Sequence, residues 1–347
     1  MPKRGSVWNN PPVQKLVYAI GGLVLLLIIV GLALPQHARV VASIEIDARP
    51  ATVFALANDF HRAAFWSPWI ETDPNARIVY SGPERGVGAT ITWDGLVLGT
   101  GTQVIIESEP FAHIGTTINS GEPGEAKSWF DFVDTGTTTV VNWTFEADYG
   151  YNLVGRYAAL LLTGVIRKDY EHGLSSLKDI AEALPRADFG NLVIEQLVVE
   201  STEIAFLPAT SPPDPASISE TMGKAYFQIL NFIDEHDLDD AGAPMSIMHS
   251  FSGSELSFDA AIPVRGVIAA TPRDSPGVKI GNTYAGNVIR VKHLGSYRNL
   301  VQTHRKIAAY LAALGIERNG AGWESYVSDP TRVPEAEIVT YVYYPIM

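Results

Sequence analysis

The C-terminal half of the chain carries one order of elements twice, and a repeat of that kind dictates how a chain pairs with itself. The later copy reads as an amphipathic helical segment, then Gly322-Trp323-Glu324-Ser325-Tyr326, then a closing strand over 338–347. The earlier copy has a helical segment over 218–233, then Pro244-Met245-Ser246-Ile247-Met248, then a strand ending Ala261-Ile262-Pro263-Val264. Apolar stripes at spacings of three and four run along both helices: Met222, Tyr226, Ile229 and Ile233 in one, Leu300, His304, Ile307, Leu311 and Leu314 in the other. Ser217 and Glu220 form a capping-box pattern that predicts the start of the first helix. Each copy is therefore expected to be strand, helix, strand, strand. Laying one copy on the other sets Met245 against Trp323 and Ser246 against Glu324, so the scaffold is roughly two-fold while only the second copy carries the acid.

A carboxylate between two aromatics on a strand suggests a pocket. An unpaired buried carboxylate costs several kcal/mol, so Glu324 needs a partner, a proton or a wet mouth; otherwise it simply faces solvent on a half-exposed strand. Beside a cationic ligand, Trp323 and Tyr326 add cation-π contacts of roughly 0.5 to 2 kcal/mol each. Beside a neutral substrate, Glu324 is placed for general acid or base work.

The run Val291-Lys292-His293-Leu294-Gly295-Ser296-Tyr297, with Trp323-Glu324-Ser325-Tyr326, Asp329-Pro330, Pro334-Glu335-Ala336-Glu337 and Tyr344-Pro345-Ile346, resembles the GyrI-like small-molecule-binding domain over roughly 189–347. That family also supplies the effector-binding half of multidrug-sensing regulators. The resemblance implies a pseudo-symmetric pair of strand-helix-strand-strand units with a ligand cleft between them, and a buried glutamate that meets cationic or polar ligands. That glutamate falls on Glu324, with Trp323, Tyr326 and Tyr297 as walls. The chain departs from the family pattern at 210–215, where a Pro-rich stretch replaces a glycine-tyrosine turn.

At the other end, residues 16–34 contain no charge and span roughly 28 Å as a helix, close to the hydrocarbon thickness of a bilayer. A membrane anchor is expected, with a cleaved signal peptide as the rival reading; Leu34-Pro35-Gln36-His37-Ala38 is a poor cleavage site. Lys3, Arg4 and Lys15 precede the span with no acid among them, which predicts a cytoplasmic amino terminus (1–15) and outward-facing domains in the inner membrane of a bacterium. Arg39, beyond the span, runs against that tendency.

Residues 40–184 read as a separate domain, with 185–190 as linker to 191–347. Residues 44–47 read as a short alternating strand, and Pro50 then opens a helix bearing Val53, Phe54 and Leu56. Strands of near period two follow at 90–93, 101–107, 114–119, 128–133 and 138–146. A long helix over 153–184 carries Ile166, Tyr170, Leu174, Leu177 and Leu184 on one stripe. Such a helix laid across a curved antiparallel sheet is expected to enclose a cavity. Phe54, Asn58-Asp59-Phe60, Trp66-Ser67-Pro68-Trp69, Asp73-Pro74, the run from Ser81 to Ala89, Trp93, Gly99-Thr100-Gly101 and Trp143 are similar to the START-like, or SRPBCC, superfamily in its polyketide-cyclase-like branch. The resemblance implies a helix-grip cavity for hydrophobic ligands, with Trp66, Trp69 and Trp93 as lining candidates; core packing is the alternative use of Trp66 and Trp69. It carries over no catalytic residue.

A net charge of −13 with no basic run argues against a nucleic-acid surface. Zero cysteines exclude disulfides and thiolate zinc sites, the eight histidines show no metal-ligand spacing, and no cofactor is expected. Gly82 to Gly88 lacks the lysine of a phosphate loop and reads as a hairpin turn. The fold class expected is α+β: one transmembrane helix, a helix-grip START-like domain, then a doubled β-α-β-β domain. The function expected is membrane-anchored binding or sensing of small hydrophobic or amphipathic molecules. A hydrolase acting through Glu324, and lipid binding or transfer through the START-like cavity, are the alternatives.

Overall fold

The computed structural model describes residues 11–120, 126–266 and 277–347. Lys3 and Arg4, which carry most of the orientation argument, lie outside the described residues. The chain divides into two compact units with the boundary between Arg186 and Ala187.

The first unit begins with α1 (Pro11–Ala33), whose segment Gln14–Ala33 is, among the described residues, the one helix long and apolar enough by length and composition to cross a membrane; a signal sequence meets the same measure. The last carbonyls of a helix lack partners within it. Here Arg156, only 3% exposed, supplies them: its guanidinium donates to the carbonyls of Gly31, Leu32 and Leu34 at 3.0–3.2 Å and to that of Gly150. The Tyr157 hydroxyl adds a bond to the Leu27 carbonyl at 2.7 Å.

β1 (His37–Ile46) follows, then three short helices, α2 (Pro50–Ala57), α3 (Phe60–Ala63) and α4 (Pro68–Thr72). Six more strands are β2 (Arg77–Ser81), β3 (Thr90–Gly95), β4 (Gly99–Glu109), β5 (His113–Asn119), β6 (Ala126–Asp134) and β7 (Thr139–Asp148), before the long α5 (Leu153–Ala183). All pairs are antiparallel, in the order β1-β7-β6-β5-β4-β3-β2. β1 is longer than the predicted 44–47: Ala38, Val40 and Ala42 alternate inward along its whole pairing with β7. α5 buries Tyr170, Gly173, Leu174, Leu177 and Ala181 against the sheet. Gly173 permits that approach, because a Cβ there would lie 3.0 Å from the Trp143 ring and from Pro68.

The space beneath α5 is filled by rings. Trp143 stacks on Tyr170 at 3.7 Å and on Phe130 at 4.7 Å, while Trp66 and Trp69 meet it edge-on. Polar edges are satisfied inside the stack: the Trp143 indole donates to Ser128 Oγ at 2.8 Å, and Ser128 Oγ lies 2.9 Å from the Tyr170 hydroxyl. Burial pushes the Tyr170 phenol well above its usual value, so it remains a neutral partner.

The second unit contains β8 (Ile194–Val199), β9 (Glu203–Ser211), α6 (Pro215–Glu235), β10 (Asp239–Asp240), β11 (Met245–Phe251), β12 (Leu256–Arg265), β13 (Lys279–Asn282), β14 (Gly286–Leu294), α7 (Leu300–Leu314), β15 (Trp323–Tyr326) and β16 (Val339–Pro345). Its antiparallel sheet has the order β13-β9-β12-β11-β15-β16-β14-β8, with β10 beside β12. Reading outward from the centre, β11, β12 and β9 on one side answer β15, β16 and β14 on the other. α6 packs through Ala225, Ile229, Phe232 and Ile233 on Ala205, Phe258, Ala260 and Ile262; α7 packs through Leu300, Ile307 and Leu311 on Ile289, Val291, Val342 and Tyr344. Both helices cover the same sheet face, and the opposite face carries its own cluster around Ile204, Met245, Ala261, Val288 and Trp323.

The start of α6 differs from the predicted capping box. Asp214 caps the helix by accepting from the Ser217 amide at 2.9 Å, with Pro215 in the first turn, while Glu220 pairs with Lys224 instead. The Pro-rich stretch itself supplies the helix start, since proline suits a first helical position and aspartate a cap.

Truncating the centre of the ring stack removes both packing and a satisfied polar pair. Trp143→Ala is expected to cost about 3–5 kcal/mol and Tyr170→Phe about 1 kcal/mol, read as shifts in the urea unfolding midpoint of the full chain in mild detergent.

Candidate functional site

The two halves of the second unit meet where β11 pairs with β15, and the register sets Ser246 directly across from Glu324. A two-fold through that pair carries each residue of β11 onto its counterpart in β15. The same displacement along the sequence carries Tyr226 of α6 onto His304 of α7, and Ile229 onto Ile307. The helix residues that overhang the seam are therefore a tyrosine on one side and a histidine on the other.

Glu324 is 9% exposed, and both of its oxygens are held. Oε1 lies 2.7 Å from His304 Nε2, and Oε2 accepts from the Tyr326 hydroxyl two residues along the same strand. His304 Nδ1 lies 2.8 Å from the Tyr344 hydroxyl. A neutral imidazole with its proton on Nε2 satisfies every atom: Tyr344 donates to His304, His304 to Glu324, and Tyr326 to Glu324. Ser246 is hydrogen-bonded to Tyr326, and Tyr226 donates to the Met245 carbonyl at 2.9 Å.

Tyr297 closes the site at its rim, 36% exposed and edge-on to Tyr326 at 5.4 Å. Its position follows from the turn before α7. Gly295 takes φ 112°, a left-handed-side conformation natural to glycine. The buried His293 then donates from Nε2 to the Ser296 carbonyl at 3.1 Å, which leaves Nδ1 to accept from Thr303 Oγ1 at 2.9 Å.

The electrostatics are those of a carboxylate ringed by phenols. Burial, and after it the Glu324 charge, pushes the Tyr326 and Tyr226 hydroxyls well above their usual value. Burial likewise raises Tyr297, seconded by Asp329 and Glu324, and raises Tyr344, against Arg318 above its ring. Neutral phenols are hydrogen-bond donors, and their faces are suited to cations. Among the described residues, no group of three or more His, Asp or Glu side chains is gathered to hold a metal.

The structure thus brings Glu324, Tyr326 and Tyr297 together but separates Trp323 from them. Side chains alternate across a strand, so Trp323 points to the opposite sheet face, where it stacks on Tyr343 at 4.7 Å. There it lines a cavity of about 290 Å³ with Phe206, Ile247, Tyr284, His249 and Asp259, the last two 2.7 Å apart. In the first unit, Trp66 is 4% exposed and donates to the Leu56 carbonyl at 3.1 Å, as a core residue does. Trp69 joins the same stack, whereas Trp93 lies outside it with its ring over Gly101.

His304, Tyr226 and Tyr344 enter the site without having been singled out in the sequence. Their signal was present: Tyr226 and His304 are polar-tipped members of otherwise aliphatic stripes, at matching positions in the two copies.

A long helix gripping a seven-stranded antiparallel sheet, followed by a two-fold sheet with an acid at its seam, defines a pair of small-molecule-binding domains. Family comparison agrees. Residues 37–182 match the polyketide cyclase / dehydrase and lipid transport family, and residues 194–347 match the GyrI-like small molecule binding domain. The chain is an SRPBCC domain of the polyketide-cyclase kind followed by a GyrI-like small-molecule-binding domain.

Among solved structures, the C-terminal domain of EcmrR is 13% identical, with a TM-score of 0.37 and coverage of 45% of this chain and 98% of that one. A hydrolase from Listeria innocua is 13% identical, with a TM-score of 0.33 and coverage of 44% and 91%. A point mutant of norcoclaurine synthase from Thalictrum flavumn is 12% identical, with a TM-score of 0.34 and coverage of 42% and 94%. These are likenesses of fold alone. No curated protein matches the chain.

The phenol shell makes alkaline titration a direct probe. Phenols raised in the folded state contribute stability that is complete below the unfolded value near 10 and is lost as pH rises through the folded values. The second unit is therefore expected to lose stability above about pH 10. Glu324→Gln removes a charge that raises Tyr326 and Tyr226, so the last part of the tyrosinate absorbance titration is expected to move to lower pH in that variant; an unchanged final phase would refute the coupling.

Proposed function

We infer that the protein is a single-pass anchored binder of small amphipathic molecules, and that the second unit takes a ligand bearing a positive charge at the Glu324 seam. The observation that carries the reading is a nearly buried carboxylate surrounded by four tyrosines and a histidine, with the half-exposed Tyr297 at its edge. Charge on the acid and ring faces around it are the chemistry that recognises an organic cation. In this reading residues 16–34 form the anchor, 40–184 and 191–347 the two binding domains, and 185–190 the linker. The amino terminus is cytoplasmic in a bacterial inner membrane, with the domains outside.

The test compares tetraphenylphosphonium with a neutral compound of similar size, by calorimetry on the detergent-solubilised full chain. Glu324→Gln is expected to weaken the cation about ten- to a hundredfold and to leave the neutral compound within about threefold. Equal loss for both would reject recognition by charge.

One contact favours a second reading, hydrolysis. His304 Nε2 at 2.7 Å from Glu324 Oε1 is an acid-base pair in which the carboxylate orients the imidazole. An enzyme of this kind would lose turnover of an electrophile such as styrene oxide in Glu324→Gln while keeping affinity. Lipid carriage by the first domain meets a different constraint, because its interior is occupied by Trp66, Phe130, Trp143 and Tyr170. A lipid has to displace those rings or lie beside them, and native mass spectrometry of the intact protein reads whether one is retained.

A further inference from the structure

The start of α5 leaves an apolar surface uncovered. Val154 is 79% exposed, Leu161 78% and Val165 55%, and these three recur at the spacing of one helix face, extended by Tyr151 before the helix and flanked by Leu160 and Leu162. Residues 157–166 contain no charged side chain. Further along, the exposed positions become Lys168 and Glu171, and the apolar residues turn inward to the sheet. One helix therefore has two regimes, an outward apolar face over its first three turns and an ordinary amphipathic face thereafter.

Two observations say what covers the first regime. The face is continuous with α1: a Cβ built on Gly31 would lie 3.1 Å from the Tyr157 ring and 3.4 Å from Leu153, so α5 begins against the last turn of the apolar helix. The one cation within that stretch, Arg156, is withdrawn from the surface and spent on the carbonyls of Gly31, Leu32, Leu34 and Gly150. A surface bound by water has no need to hide its charge while showing valine and leucine; a surface meeting acyl chains does.

We propose that the first three turns of α5 lie in the interface of the same bilayer that α1 crosses, with Val154, Leu161 and Val165 toward the acyl chains and Lys168 at the headgroups. The inference rests on the reading of α1 as an anchor. It makes the first domain a membrane-seated body, with its long helix as the second point of contact.

The absence of cysteine from the sequence gives a clean test. Single variants Val154→Cys, Leu161→Cys and Val165→Cys, with Leu25→Cys inside α1 and Glu171→Cys on the polar part of α5, are labelled with a nitrobenzoxadiazole fluorophore. The full chain is placed in phosphatidylcholine–phosphatidylglycerol vesicles. Labels at 154, 161 and 165 are expected to be quenched at least about twofold more by lipids spin-labelled near the headgroup than the label at 171, and to be shielded from aqueous iodide. The label at 25 is expected to respond to spin labels deep in the acyl region. If 25 responds and 161 and 165 are as open to iodide as 171, the proposal falls while the anchor stands. If 25 does not respond, the anchor reading falls. Shielding of 161 and 165 from both quenchers would assign the face to a protein and overturn the proposal. All five positions are exposed, so the substitutions leave the core untouched.

Discussion

The pairing of β11 with β15 is the interaction on which the second unit depends. Its register places Ser246 opposite Glu324, and because side chains alternate along a strand, that one register assigns every neighbouring residue to a face. Glu324 and Tyr326 turn toward the helices; Trp323 and Ile247 turn away. A slip by one residue would put the indole beneath α7 and the carboxylate among Phe206 and Tyr284. The helices then follow, since Tyr226 and His304 reach the seam only when their stripes pack on the sheet in matched positions.

Glu324 has no free oxygen in this arrangement. His304 and Tyr326 satisfy it, which removes the penalty an isolated buried carboxylate would carry. Under the proposed function, a ligand arriving at the seam competes with an internal partner. Binding is an exchange of hydrogen bonds, and affinity measures the difference between the ligand's contact and the one it replaces. The proposed cation site would discriminate by charge more sharply than by shape, because a neutral donor gains little over a phenol already in place.

Much of this architecture was legible in the sequence. The duplication was visible because its helices keep their spacing and its central strands keep their alignment, and the offset that superposes Ser246 on Glu324 is the one the strand register uses. The long helix of the first unit showed itself through Tyr170, Leu174 and Leu177. The site itself was read less fully. Adjacency in Trp323-Glu324 suggested a shared wall, but neighbours on a strand face opposite ways; the true neighbours, His304 and Tyr344, are distant in sequence and sat inside stripes that look like core. The length of β1 was missed because Arg39 and Ser43 interrupt its hydrophobicity, and only the pairing with β7 shows that both point outward. The start of α6 was misplaced for a similar reason, as Ser217 and Glu220 imitate a cap that Asp214 provides.

Arg156 has a consequence that is mechanical. A guanidinium bonded to three carbonyls at the end of α1 and to the Gly150 carbonyl before α5 is a rivet between the two helices. Twisting or tilting α1 about that joint has to break charge-assisted bonds or drag α5 along with it. The long helix that grips the seven-stranded sheet is thus geared to its neighbour, and torque applied at one end of the first unit is delivered to the ring stack in its centre.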